Sequence, residues 1–289
     1  MFGTEVEEEV PADYQWKGGR PHIGDTLMAI GSSEIRDGSY SDYIQTLRGL
    51  SRQVGETINV RWREKETETS RSAFVKVQYP PTWTYFRSCV WFLQELLIFA
   101  IGARVLWKRP NDRSAQLFFA VCIFTVGAFM GGYHWTEIVT DPLLIYPFAL
   151  FAVFVPVVNL HFFLVFPRAN SVLERSPKWV IGGLYGIPLA YLLALWGSMY
   201  AARWSAQNHD YLQSAAAFQL LRGLALGYIG LAAFLFGLCI ICLVLSYRHA
   251  ATRAERNQVR WILLASIISS VLIAYLLAQA YTDPATLGR

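Results

Sequence analysis

The chain of 289 residues is 54% hydrophobic and only 16% charged, too apolar for an ordinary soluble domain, so its composition places it among membrane proteins. The formal net charge of +4 gives no case for nucleic acid, because the basic residues sit in short loops between apolar runs. Cys89, Cys122, Cys239 and Cys242 all fall inside apolar runs, where a disulfide framework is implausible and small packing residues are common. Cys239-Ile-Ile-Cys242 has redox-motif spacing but lacks the βαβ context, and it reads as packing.

Residues 1–15 carry Glu5, Glu7, Glu8 and Glu9 and lack the basic and apolar regions of a signal peptide. Residues 16–80 have the composition of a small soluble α/β domain. A turn at Gly18-Gly19 leads to a strand-like run, Thr26–Ile30, and a second turn at Asp37-Gly38. Tyr43, Leu47 and Leu50 then share a helical face at i, i+4 and i+7. Two strands complete the domain. In the first, Ile58, Val60 and Trp62 alternate with Asn59, Arg61 and Arg63; in the second, Ala73, Val75 and Val77 alternate with Phe74, Lys76 and Gln78.

The succession Ile23-Gly24-Asp25-Thr26-Leu27-Met28-Ala29-Ile30-Gly31, helix, Val54-Gly55-Glu56-Thr57 and paired strands resembles the C-terminal two-thirds of a bacterial PDZ domain, with Gly24 and Asp25 at its leading turn. The resemblance implies an extended peptide or protein segment as ligand, added as a strand beside the domain's own strand and helix. The segment that would supply a carboxylate-binding glycine-rich loop is short and acidic here, so the domain reads as incomplete at its N-terminus.

Pro80-Pro81 closes this domain, and the polytopic part occupies residues 85–281. Its centre is Leu143 to Phe166, with no Asp, Glu, Lys or Arg; at helical rise it is roughly 36 Å long, enough to cross a bilayer core. Pro147 and Pro156 each free a backbone carbonyl inside that span. Lipid cannot satisfy those carbonyls, so neighbouring helices or side chains must, and the segment belongs in a bundle. The expected fold is an α-helical membrane bundle with spans at 86–107, 114–134, 143–166, 179–201, 218–246 and 261–281, then a tail over 282–289.

Alternate loops carry ten basic residues (Lys108, Arg109, Arg113, Arg168, Arg175, Lys178, Arg248, Arg253, Arg256 and Arg260) against two, Arg203 and Arg222. The positive-inside rule puts the first set in the cytoplasm, and the domain over 16–80 and the tail outside, in a multi-pass protein of the cytoplasmic (inner) membrane. Export of an outer domain without a signal sequence leads us to expect a helix before Met1, and reporting to the cytoplasm leads us to expect one after Arg289.

Ionisable groups within spans are functional candidates. Glu95 lies about 12 Å inside the first span, and Arg222 is its best-placed basic partner. Either the two pair, or Glu95 lines a cavity and Arg222 snorkels outward. His161, near the cytoplasmic end of the third span, reads as a hydrogen-bonded interface residue rather than a metal ligand, since no second His or Cys shares its depth. Pro156 is a candidate bending element. Gly127-x-x-x-Gly131, Gly182-x-x-x-Gly186 and Gly223-x-x-x-Gly227 read as bundle contacts. The chain has no His-Glu-x-x-His, no Gly-x-Ser-x-Gly and no phosphate-binding Gly-x-x-x-x-Gly-Lys-Ser/Thr, so no catalytic residue or cofactor is assigned.

Two further stretches go beyond hydropathy: Asn159-Leu160-His161-Phe162-Phe163-Leu164-Val165-Phe166-Pro167-Arg168, and Arg253-Ala254-Glu255-Arg256-Asn257-Gln258-Val259-Arg260-Trp261-Ile262-Leu263. They resemble the H-F-x-L-x-F-P and R-x-Q-x-R/K-W signatures of the multi-pass sensor region in competence-type (ComP-like) bacterial sensor histidine kinases. The motif positions here are His161, Phe166, Pro167, Arg256, Gln258, Arg260 and Trp261. In that family an extracytoplasmic PDZ-like domain precedes the membrane domain and a cytoplasmic kinase core. The phosphoacceptor helix and ATP-binding domain are not in this chain, so the resemblance implies a sensor role in two-component signal transduction, membrane lipid as surroundings, and a homodimer when joined to a kinase core. A transporter or membrane-assembly scaffold is the alternative from another class.

Overall fold

A computed structural model of the chain describes residues 6, 16–35, 46, 54–79, 82–129, 138, 142–167, 170–207, 211–250 and 252–282. The chain divides into two compact units, the first ending at Cys89 and the second starting at Val90.

The first unit holds a five-stranded antiparallel sheet in the order β1-β5-β4-β2-β3, made of β1 (Trp16–Lys17), β2 (Thr26–Ile30), β3 (Ser33–Glu34), β4 (Thr57–Arg63) and β5 (Ser70–Lys76). The alternation expected in β4 is realised: Ile58, Val60 and Trp62 are buried together with Ile30, Ile35 and Ala73. Trp62, 1% exposed, meets the edge of Trp16 at 6.3 Å. Such a pairing adds to the burial of both rings. Phe74 points outward on β5, as the period of two requires. The short edge strands β1 and β3 are additional to the expected elements. The helix expected from Tyr43, Leu47 and Leu50 lies outside the described residues except at Thr46, which is helical.

Gly24 and Asp25 explain how β2 is anchored. Gly24 has φ +93°, a conformation that favours glycine. Asp25, 4% exposed, accepts hydrogen bonds from the backbone N–H of His22 at 2.8 Å and of Lys65 at 3.1 Å. The pair ties the start of β2 to the loop after β4. The backbone of Val6 bonds to the same turn, donating to the Asp25 carbonyl and accepting from Gly24 N–H, each at 2.8 Å.

The second unit is helical. Its elements are α1 (Thr82–Lys108, which starts in the first unit), α2 (Arg113–Phe129), α3 (Pro142–Val165), α4 (Ser171–Arg175), α5 (Pro177–Gln207), α6 (Tyr211–Arg248) and α7 (Arg253–Thr282). Among the described residues, four segments are long and apolar enough to cross a membrane: Tyr85–Lys108, Leu143–Val165, Pro177–Ser205 and Gln219–Arg248. The helices at α5 and α6 run past the expected spans at both ends. Helix α2 is a shorter apolar helix ending at Phe129, and the remainder of the expected 114–134 span lies outside the described residues. Helix α7 runs over residues 261–281 but is not one of those four segments. A short helix, α4, lies in the connection between α3 and α5, where the sequence suggests only a loop.

The central helix is α3. Of its most apolar window 67% is buried by protein, against 6% for Tyr85–Lys108 and 17% for each of the other two. A helix apolar on every side is one that is surrounded. Helix α3 packs on α2, α5 and α6, and Val153, Val157, Leu192 and Leu243 are among the buried side chains of their common core, which Val259 of α7 joins.

Glycine placement corrects part of the sequence reading. At Gly127 a Cβ would run into the Phe151 ring of α3, so this glycine does permit close helix approach. Gly182, Gly186 and Gly223, by contrast, face open space, and Gly227 has only the Tyr191 hydroxyl nearby, at 3.2 Å. The first of these motifs makes no contact within the bundle, and the second meets a neighbouring helix only at Gly227. The close crossing of α1 and α2 is made instead by Gly102, where a Cβ would sit 2.8 Å from Cβ of Cys122.

Candidate functional site

Proline at position 156 cannot donate to the carbonyl four residues earlier, Ala152. In hydrocarbon that acceptor needs another donor. The hydroxyl of Tyr228 on α6 supplies it, at 2.5 Å. The interruption in α3 is thus closed by a different helix, and α3 stays helical through both Pro147 and Pro156. Pro156 itself is among the most completely buried residues.

Three more bonds extend this into a polar seam along α3, α5 and α6. Tyr191 of α5 donates its hydroxyl to the Leu224 carbonyl of α6. Trp196 of α5 donates its indole N–H to the Tyr146 carbonyl of α3 at 3.2 Å. His161 Nδ1 and the Tyr185 hydroxyl lie 2.8 Å apart, joining α3 to α5. His161 is 7% exposed, its ring meets Tyr185 edge-on at 5.6 Å, and its Nε2 is enclosed without a hydrogen-bond partner. Arg113, at the start of α2, lies within electrostatic range of both His161 and Tyr185. His161 is therefore the buried interface residue that its lone position suggested. Asn159 turns its amide back to the Val155 carbonyl of its own helix, at 2.8 Å.

Glu95 stands apart from this seam. On α1 it shares with Trp91 and Gly102 the face that meets α2, where Trp91 donates to the Phe129 carbonyl at 3.3 Å. Its Oε1 is enclosed and has no hydrogen-bond partner. Arg222 is exposed on α6, and among the described residues no Glu95–Arg222 ion pair is formed. Of the two arrangements open in sequence, the pair is the one not seen.

The motif residues divide by depth. Phe166 stacks on Phe162 at 5.1 Å, and Phe162 in turn meets Phe118 of α2 at 5.8 Å. The Phe166-Pro167 peptide is cis. These positions serve packing at one end of the core. Arg256, Gln258 and Arg260 are exposed, as is Trp261, while Val259 between them is 0% exposed. Arg256 lies over the Tyr247 ring at 5.7 Å, a cation–π contact.

Cys239 and Cys242 are buried free thiols in the core of α6, which is the packing role read from sequence. Among the described residues no three His, Cys, Asp or Glu side chains converge as a metal site would need. The chemistry this arrangement offers is hydrogen bonding between helices.

Tyr228, Tyr185, Tyr191 and Trp196 are the site residues that sequence reasoning missed. The signal was available in part: a buried proline creates an acceptor at a known position, and a hydroxyl inside an apolar span must find an acceptor. Nothing local pairs the two.

The fold and the seam together define an α-helical, multi-pass membrane protein with a small antiparallel β unit. Compared with known proteins, the chain matches no family model, no curated protein and no solved structure.

Proposed function

We propose that the chain is the membrane input region of a bacterial two-component signalling protein. In this reading the sheet unit is PDZ-like and extracytoplasmic, the bundle has six spans in the inner membrane, and the output is a histidine kinase core. The observation that carries it is the Tyr228 to Ala152 bond at Pro156. A central helix whose backbone is completed by another helix can exchange that partner for a different one, which is the kind of two-state element that signalling across a membrane requires. The domain order and the motifs ending at Arg168 and Trp261 support the kinase as output, and ten basic residues on alternate loops support the orientation.

A second reading, transport, is favoured by one observation: the enclosed, unpartnered oxygen of Glu95. The two are separated in membranes carrying the full reading frame. The sensor reading expects phosphate incorporation from ATP whose basal level shifts in Pro156→Ala and Tyr228→Phe at equal insertion. Unchanged phosphorylation in both variants would remove the coupling, and no incorporation at all would remove the kinase. Proton flux into liposomes holding this chain, abolished by Glu95→Gln, would establish transport instead.

A further inference from the structure

We propose that the corner between α6 and α7 binds the headgroup of an anionic phospholipid, whose acyl chains lie along α7. This goes beyond the sensor reading and does not depend on it.

Helix α6 ends at Arg248, and α7 opens with Arg253, Arg256 and Arg260. Spaced three and four apart, these last three form one stripe on the helix, and all three are exposed. The stripe flanks the face buried through Val259 rather than pointing into the core. Tyr247 holds the Arg256 guanidinium over its ring, which orders a group that would otherwise lose conformational freedom on binding an anion.

The acid of this corner, Glu255, caps the start of α7. Glu255 accepts from the Thr252 backbone N–H at 3.4 Å, while its own N–H donates to the Thr252 hydroxyl at 3.2 Å. This reciprocal pair is a capping box. It starts α7 cleanly and keeps the carboxylate at the helix end.

The apolar continuation of the stripe identifies the partner. At further three- and four-residue steps the same face carries Leu264, Ile267 and Val271, all exposed. Trp261, 71% exposed, stands at the change from basic to apolar. Tryptophan concentrates at the membrane–water interface, and two other exposed indoles at this end also adjoin basic residues: Trp107 before Lys108 and Trp179 after Lys178. On α5 a second exposed indole, Trp204, lies about 38 Å from Trp179 at helical rise, the separation of two interfaces across a bilayer. A cationic head, an aromatic boundary and an apolar run on one face match an anionic amphiphile. A soluble phosphate would use only the first part.

The purified full chain is compared in phosphatidylcholine nanodiscs and in nanodiscs with added phosphatidylglycerol. Retained lipid is counted by native mass spectrometry. Arg253→Gln/Arg256→Gln/Arg260→Gln is set against Lys108→Gln/Arg109→Gln/Lys178→Gln, which removes the same charge elsewhere on the same side. The first variant should lose phosphatidylglycerol affinity by about fivefold per arginine, and the second should retain most of it. Tyr247→Leu should weaken binding a few-fold, and inorganic phosphate should not displace the lipid. Equal loss in the two triple variants would mean diffuse surface charge and overturn the site. So would no loss in either, or displacement by phosphate. Helix content measured by circular dichroism in the same nanodiscs distinguishes lost binding from lost folding.

Discussion

Tyr228→Phe is the most direct probe of the seam. The change removes one oxygen and keeps the ring, so packing on α3 is retained, but the Ala152 carbonyl loses its donor at 2.5 Å. Pro156 prevents the helix from supplying another. Interhelical hydrogen bonds in membranes average about 0.6 kcal/mol and reach about 1.7, and an acceptor left bare inside a protein costs about 1–3 kcal/mol. An acceptor with no intrahelical alternative belongs at the upper end of the first range, so we expect a loss of about 1–2 kcal/mol.

The partner substitution makes the argument specific. Pro156→Ala restores an N–H that can donate to Ala152 within α3. In that background Tyr228→Phe should cost close to nothing, giving a coupling of about 1 kcal/mol or more. Equilibrium unfolding of the four proteins in bicelles measures it. Equal cost for Tyr228→Phe in both backgrounds, with coupling under about 0.3 kcal/mol, would show that the carbonyl is satisfied some other way.

Trp62→Ala should unfold the sheet unit, since loss of a buried Trp costs about 3–5 kcal/mol; proteolysis between residues 54 and 79 should accelerate while the helices stay protected. Tyr185→Phe leaves His161 without its one hydrogen bond and should destabilise by about 1–2 kcal/mol, whereas adding His161→Leu should recover part of that; a thermal melt in which the double variant is no better than the single would refute the pairing. Gly127→Val should lower the melting temperature through collision with Phe151, at about 1–3 kcal/mol, while Gly186→Ala, facing open space, should not; the reverse order would mean that the bundle is rotated. Single cysteines placed at 136–141 and 208–211 should react with an impermeant reagent from outside, and those at 171–175 and 250–252 should not; the opposite pattern reverses the topology.

Much of the architecture was legible because it depends on local sums. Charge-free length along Leu143–Val165 is enough to identify a membrane helix, and strict alternation in Ile58, Val60 and Trp62 is enough to orient a strand. The need for a donor near Pro156 was also legible, since a proline always frees the carbonyl four residues back. Which residue answers that need was not. Tyr228 lies 76 positions away, and its hydroxyl reaches Ala152 only because α6 is rotated and raised to that depth. The glycine motifs misled for the same reason: Gly182, Gly186 and Gly223 have the spacing of helix contacts, but their faces turn to open space.

By itself, then, the sequence determined the class of protein, the central helix, the faces of the β-strands and the existence of an unsatisfied carbonyl in α3. Tertiary structure alone decided that Tyr228 closes it, that His161 meets Tyr185, that Glu95 stays without Arg222, and that the three arginines of α7 and the apolar run in line with them are left exposed. Hydropathy and proline chemistry act within a few residues along the chain. Contacts between helices depend on the rotation and depth of each helix, which are settled by all of their neighbours at once.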